Sequence, residues 1–228
     1  MWRVSLEPPE PWFQHLRQTL TPEEQTRARR FVQAIHGRHF TAARGWLRFV
    51  LGLYLRRPPA CLRFDYGPHG KPFFPAAENA GDLQFNLSHS HAAALIGITR
   101  GRDIGIDLEQ VRTMENLEDI ARRFFSSREV AALATVPAAE KGEAFFRCWT
   151  RKEAFIKAGG EGLTRPLDEF SVSLSAGEPA CLLEISGSPA EAARWTLREV
   201  LPWPGFIGCV AVPDHGWDLR CWDGSLIE

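Results

Sequence analysis

Between positions 21 and 55 the apolar residues Phe31, Ile35, Ala42, Trp46, Val50 and Leu53 return at helical intervals, with Arg38, Arg44 and Arg48 interleaved. That spacing keeps one face of a helix apolar and predicts a long amphipathic helical region with an arginine-bearing side. Thr21-Pro22-Glu23-Glu24 is a good start for it: Thr21 can cap, proline suits the first turn, and Glu24 can reach back to complete a capping box. Pro58-Pro59 ends it. Leu62, Phe64 and Tyr66 then alternate like a strand, followed by the turn-rich Gly67-Pro68-His69-Gly70-Lys71-Pro72. Strands are expected at 85–87, 93–99 and 104–109, and a helix at 117–125. Ser126-Ser127-Arg128-Glu129 is a second capping box opening another helix. A longer helix over 140–158 should stop at Gly159-Gly160, where glycine tolerates a left-handed cap. Apolar stretches at 170–174, 182–185, 195–197, 206–212 and 219–222 predict antiparallel strands. Helices and strands mix in both halves, which gives an α+β class.

Composition narrows the function classes. The 228 residues can bury a substantial core, and 27 basic against 28 acidic side chains leave a net charge of -1. A protein that coats nucleic acid or an acidic membrane needs a positive surplus, so only a local basic pocket remains open. Arginine is the default cation, with lysine only at positions 71, 141, 152 and 157, so each lysine merits attention. Cysteines 61, 148, 181, 209 and 221 are odd in number and form no C-x-x-C pair, which disfavours a disulfide framework or a zinc site and fits a reduced, cytoplasmic setting. The start has no basic cap before an apolar run, and no stretch of about 18 apolar residues occurs; neither a signal peptide nor a membrane span is expected.

Three constellations can carry chemistry. In Gly105-Ile106-Asp107-Leu108-Glu109 a strand sends both carboxylates to one face and Ile106 and Leu108 to a core. Two carboxylates about 4 Å apart repel by roughly 4 kcal/mol at an effective dielectric near 20, so they should share a proton or a cation such as Mg²⁺. The plainer alternative is the wet side of an ordinary strand. On a helix, Glu153 and Lys157 are neighbours, with Trp149 one turn earlier. That face presents a carboxylate and an ammonium to a phosphorylated ligand, or is a surface ion pair beside a packing tryptophan. Gly70-Lys71-Pro72 together with Ser88 and His89 supplies donors for phosphate, or is a tight turn beside a strand end. A serine hydrolase is disfavoured, because neighbours on a strand point oppositely and no G-x-S-x-G elbow occurs.

In order, GKPFF (70–74), FNLSHS (85–90), GIDLEQVR (105–112), ARRFFSSREV (121–130) and FFRCWTRKEAFIKAGGEGL (145–163) resemble the surfactin-activating (Sfp-type) 4′-phosphopantetheinyl transferases. The resemblance also takes in the helix AARGWLRFVLGLYL (42–55). It implies a cytoplasmic holo-carrier-protein synthase that moves the 4′-phosphopantetheine group of coenzyme A to a serine of an apo acyl or peptidyl carrier protein, releasing adenosine 3′,5′-bisphosphate. The implied fold is two similar α/β halves, 1–108 and 109–228, related by a pseudo-twofold axis with the active site in their cleft, in a monomer that imitates a dimer. By motif, Asp107, Glu109 and Glu153 match the ligands of Mg²⁺, with Mn²⁺ as the alternative. Lys157 matches the lysine at the pyrophosphate, where it neutralises the leaving phosphate, and Glu153 is the candidate general base. Lys71 and Pro72 fall at the adenine-side turn, and Ser88 and His89 near the 3′-phosphate. Arg44 matches an arginine aimed at that same phosphate, with Arg38 and Arg48 as competitors. An acidic carrier could dock on Arg27-Ala28-Arg29-Arg30 or Arg122-Arg123.

Two other readings stay open. D-x-E on a strand plus E-x-x-x-K on a helix also suits a metal-dependent nuclease, although the net charge offers no broad basic surface. A coenzyme A or carrier-binding module without chemistry is the other, and the presence of all three acids weighs against it.

Overall fold

In the computed structural model, residues 1–68, 70–76, 78, 82–160 and 165–227 are described; His69 and the motif residues 161–163 lie outside them. The chain begins with β1 (Trp2–Ser5), α1 (Glu10–Gln18), α2 (Pro22–Arg29) and α3 (Ala34–Leu55), followed by β2 (Asp65–Tyr66), β3 (Pro72–Phe73), β4 (Leu83–Ser90), β5 (Ala93–Arg100) and β6 (Gly105–Gln110). It continues with α4 (Leu117–Phe124), α5 (Ser127–Thr135), α6 (Lys141–Gly159), β7 (Phe170–Val172), β8 (Leu182–Ile185), α7 (Pro189–Ala192), β9 (Trp195–Val200), β10 (Phe206–Pro213) and β11 (Trp222–Asp223).

Both capping boxes form: Thr21 with Glu24 opens α2, and Ser126 with Glu129 opens α5. The single helical region expected over 21–55 is instead two helices, broken at 30–33. The break lets α2 fold back on α3, and Gly37 has no room for a side chain because a Cβ there would lie 2.6 Å from the carbonyl oxygen of Ala28. Ala42, Trp46 and Val50 are buried as expected, but Phe31, Ile35 and Leu53 are exposed. Of the strand expected at Leu62, Phe64 and Tyr66 only the two-residue β2 remains. The last strand, β11, pairs parallel with β1, not antiparallel.

Two larger sheets organise the molecule, one in the order β11-β1-β5-β4 and one in the order β6-β10-β9. Each has a long helix over one face. Trp46, Val50 and Leu51 of α3 share a core with Val4, Phe85 and Ile96, and Phe145, Cys148 and Phe155 of α6 share one with Leu197, Ile207 and Cys209. A third core joins the sheets: Leu95 of β5 packs with Ile106, Leu108, Val200 and Val210. The expected division at 108/109 falls within β6, whose ladder partner is β10.

Candidate active site

On β6 the alternation works as the pattern requires: Ile106 and Leu108 are 0% and 1% exposed in the core between the sheets, and Asp107 and Glu109 take the other face. Asp107 is nonetheless buried at 4% exposure, which excludes the wet-strand alternative. The strand β4 runs beside β6 and is stitched to it by side chains. Asn86 Oδ1 accepts the Ile106 N–H at 2.9 Å, Ser88 Oγ donates to Asp107 Oδ1 at 2.9 Å, and Ser90 Oγ donates to Glu109 Oε2 at 2.9 Å. Every second residue of FNLSHS thus orients β6 and its acids.

The helix α6 lies directly on β6 because Gly105 has no side chain: a Cβ there would come within 1.9 Å of the Ala154 carbonyl oxygen. Lys157 Nζ then reaches Asp107 Oδ1 at 2.5 Å and donates to Ser88 Oγ at 3.2 Å. The second oxygen of Asp107, Oδ2, is buried and accepts no hydrogen bond among the described residues. Burial opposes the charge of Lys157, but Asp107, with help from Glu153 and Glu109, outweighs it and holds the ammonium pKa above the usual lysine value. Burial raises the pKa of Glu153, and the charges of Asp107 and Glu109 add to that rise while Lys157 opposes it. The four groups therefore form one electrostatic unit. Among the described residues no three His, Cys, Asp or Glu side chains are gathered into a ready metal cage.

A cavity of about 1020 Å³ opens beside this cluster, lined by Arg27, Phe31, His36, His39, Phe40 and Arg44 from the α2–α3 region, by Gly70 and Pro72, by Leu87, His89, Ser90 and His91, and by Glu109 and Arg112. Glu109 is where the acidic set meets it. Arg44 leans on Glu24 (Nε to Oε1 3.4 Å), and its Nη1 is buried without a hydrogen-bond partner among the described residues. The competitors of Arg44 are otherwise engaged. Arg48 is 2% exposed and grips Glu24 with Nε and Nη2 at 2.7 and 3.0 Å and the carbonyls of Pro59 and Leu62 with Nη1. Arg38 pairs with Glu10 and covers the ring of Phe13, away from the cavity lining. Burial depresses the His89 pKa, with Lys157 and His39 adding to it, so the imidazole is neutral near pH 7.

The comparisons with known proteins bear on this arrangement. A family model described as the 4′-phosphopantetheinyl transferase superfamily matches residues 103–200, which span β6, α4–α6 and β7–β9. Over 222 residues the chain is 41% identical to the 4′-phosphopantetheinyl transferase HetI of Nostoc sp., covering 97% of this chain and 90% of that one. The chain belongs to the 4′-phosphopantetheinyl transferases. It is also 32% identical over 201 residues to the 4′-phosphopantetheinyl transferase Sfp of Bacillus subtilis, covering 88% and 86%. A solved structure titled as the ACPS-CoA complex of Chronobacterium ammoniagenes superimposes with a TM-score of 0.38 at 16% identity, over 52% of this chain and 100% of that one.

For a 4′-phosphopantetheinyl transferase, which moves phosphopantetheine from coenzyme A to carrier proteins, the residues singled out by motif distribute in a definite way. Asp107, Ser88 and Lys157 are in mutual contact, and Glu109 and Glu153 are coupled to them. Arg44, Pro72 and His89 line the cavity. Ser88 faces Asp107 instead of the cavity, and Lys71 Nζ is turned onto main-chain carbonyls of Ile104, Lys157 and Ala158. Trp149 does not join the site; it stacks on Phe145 and meets Phe124 edge-on in the C-terminal core. Asn86, Ser90, His36 and His39 escaped the motif reading. The alternation of polar residues at 86, 88 and 90 was the available signal for the first two, whereas nothing local marks the histidines.

Proposed function

We propose that the transferase site is the junction of the acidic cluster with the cavity, and that Asp107, Glu109 and Glu153 hold Mg²⁺, with Mn²⁺ as substitute. The observation that carries this reading is Asp107 Oδ2, a buried carboxylate oxygen without a hydrogen-bond partner among the described residues, whose group is electrostatically coupled to two further acids. Such a donor set suits a hard, oxygen-seeking cation. When bound there, the cation supplies charge neutralisation to the pyrophosphate of coenzyme A. Lys157 neutralises charge growing on the leaving phosphate. Glu153 takes the proton of the carrier's serine as its oxygen attacks the β-phosphorus. That attack makes the new phosphodiester bond to the carrier and releases adenosine 3′,5′-bisphosphate.

The cavity takes the nucleotide end. Arg44 offers its guanidinium to the 3′-phosphate, His89 adds a ring N–H, and the Gly70–Pro72 turn bounds the adenine. The two halves meet at this cleft. Docking of an acidic carrier is better supported at Arg27, Arg29 and Arg30, which flank the exposed Phe31 and Val32 at the cavity edge, than at Arg122, which is already paired with Asp119 and Glu118. The five cysteines are free, as fits a reducing compartment, and among the described residues no helix is long and apolar enough to cross a membrane. We place the enzyme in the cytoplasm, and the resemblance implies a monomer.

The test uses mass spectrometry of an apo carrier after incubation with enzyme, coenzyme A and Mg²⁺. Glu153→Gln and Asp107→Asn should each lose at least about 100-fold in turnover, the range of a lost general base or metal ligand. Chelation should abolish transfer and added Mg²⁺ restore it. Wild-type turnover in either variant would overturn the assignment of that residue.

A further inference from the structure

The Gly70-Lys71-Pro72 turn faces two ways. Gly70 and Pro72 line the cavity, whereas Lys71 Nζ donates to the carbonyl oxygens of Lys157 at 2.5 Å, Ile104 at 3.2 Å and Ala158 at 3.5 Å. The chemistry of the acceptors explains the choice. The last carbonyls of a helix lack an amide from a following turn and carry the negative end of its dipole, so a cation there meets both needs. α6 ends at Gly159, with Gly160 in the left-handed region at φ 69°. Ile104 stands at the entrance to β6, one residue before Gly105, on which α6 rests. One ammonium therefore ties the cavity wall to the start of the strand bearing Asp107 and to the last turn of the helix bearing Lys157.

We propose that Lys71 is a positioning residue: it clamps the final turn of α6 against β6, so that Lys157 Nζ meets Asp107 and Ser88, and couples that geometry to the wall at Pro72. The proposal rests on the reading of Lys157 as the group at the pyrophosphate. It differs from a direct contact of the Lys71 ammonium with the nucleotide, because the side chain acts through Lys157. Burial depresses the Lys71 pKa and the Asp103 charge opposes it; the three carbonyls also favour the charged form.

The experiment is a double-mutant cycle of Lys71→Met and Lys157→Met in the full chain, assayed with coenzyme A and with 3′-dephospho-coenzyme A, plus amide hydrogen exchange. Lys71→Met should lower kcat about 10-fold or more, since small misplacements of catalytic groups are costly, with KM for the donor within about 2-fold. The loss should be the same for both donors and shrink to about 2-fold or less in the Lys157→Met background. Lys71→Arg, which keeps donors for the same carbonyls, should recover most of it and guards against a mere folding defect. Losses that multiply in the double variant, or a KM effect that vanishes with the dephospho donor, would overturn the proposal in favour of direct contact. If Lys157→Met alone keeps wild-type turnover, the reading of Lys157 fails. The clamp is then judged by exchange at 157–160, which should accelerate in Lys71→Met; unchanged exchange there refutes it.

Discussion

Arg44 and Arg48 show how far identical residues one helical turn apart can diverge. Glu24 decides between them: it closes the capping box on the Thr21 N–H, takes a two-pronged grip from Arg48, and leaves Arg44, which lines the cavity, with one looser contact at 3.4 Å. Periodicity alone places both on one face; the resemblance named Arg44 with Arg48 as a competitor, and the position of Glu24 shows Arg48 to be the one locked into the structure. Arg48→Ala leaves the buried Glu24 charge without its main partner and should cost about 3–5 kcal/mol in urea denaturation. Arg44→Ala should instead raise KM for coenzyme A about 10-fold or more, the scale of one charge-assisted hydrogen bond, with a small change in stability. His89 gives a pH signature. Its pKa is depressed in the free enzyme by burial, Lys157 and His39, and a bound phosphate dianion favours the imidazolium, so the pKa rises on binding. Between the two values binding takes up a proton, and affinity for coenzyme A strengthens as pH falls through that window, levelling below the free-enzyme pKa. Calorimetry in buffers of different ionisation enthalpy should show that uptake, and His89→Gln should remove it; binding without proton uptake in the wild type would refute the role.

Elements were legible where the determinants are local. Both capping boxes lie within four residues, and the alternation in 105–109 correctly sends Ile106 and Leu108 to the core and both acids to the other face. The α2–α3 break was not legible, because Phe31 and Ile35 continue the apolar period across it although both are exposed. Nor was the fate of Lys152, which the motif places beside Glu153: it is 0% exposed and paired at 2.8 Å with Glu129, a residue more than twenty positions away that also caps α5. The strand–helix contact at Gly105 sets the geometry of the candidate site directly. A methyl group there collides with the main chain of α6 at Ala154 and Ala158, which cannot yield as a flexible side chain would. Gly105→Ala should therefore lift α6 off β6, lowering Tm by roughly 5–10 °C for about 2–3 kcal/mol of overpacking. It should also cut kcat more than KM, since Lys157 and Glu153 move relative to Asp107 while Arg44, on α3, stays. Differential scanning fluorimetry with steady-state kinetics checks both parts, and unchanged kcat in a folded variant would contradict the account.

At the scale of the molecule the two sheets are joined by a shared core. The core around Leu95, Ile106 and Val210 belongs to both sheets, and the chain ends meet on the N-terminal one. There β11 pairs parallel with β1, the Met1 ammonium donates to the Arg220 carbonyl, Arg3 holds Asp223, Trp2 stacks on Trp222 at 5.9 Å, and Gly224 fits against Val4 and Trp46. No local pattern announces a pairing between the two ends of a chain, which is why 219–222 reads as one more antiparallel strand. The closure makes a distinct demand on stability. Removing residues 221–228 strips β1 of one neighbour and exposes Trp2, while β6, α6 and the cavity lining keep every residue they use. The expected cost is about 2–4 kcal/mol, or roughly 5–15 °C in Tm for a chain of this size. Hydrogen exchange should locate that cost: amides of Trp2–Ser5 should exchange at least about 10-fold faster while those of β9 and β10 keep their protection. Transfer activity at low temperature should stay within about 3-fold, because the lost strand contacts none of the reacting groups. Uniform acceleration across both sheets would show instead that the shared core transmits the loss of closure to the whole molecule, and the terminal clasp would then be part of a single cooperative unit.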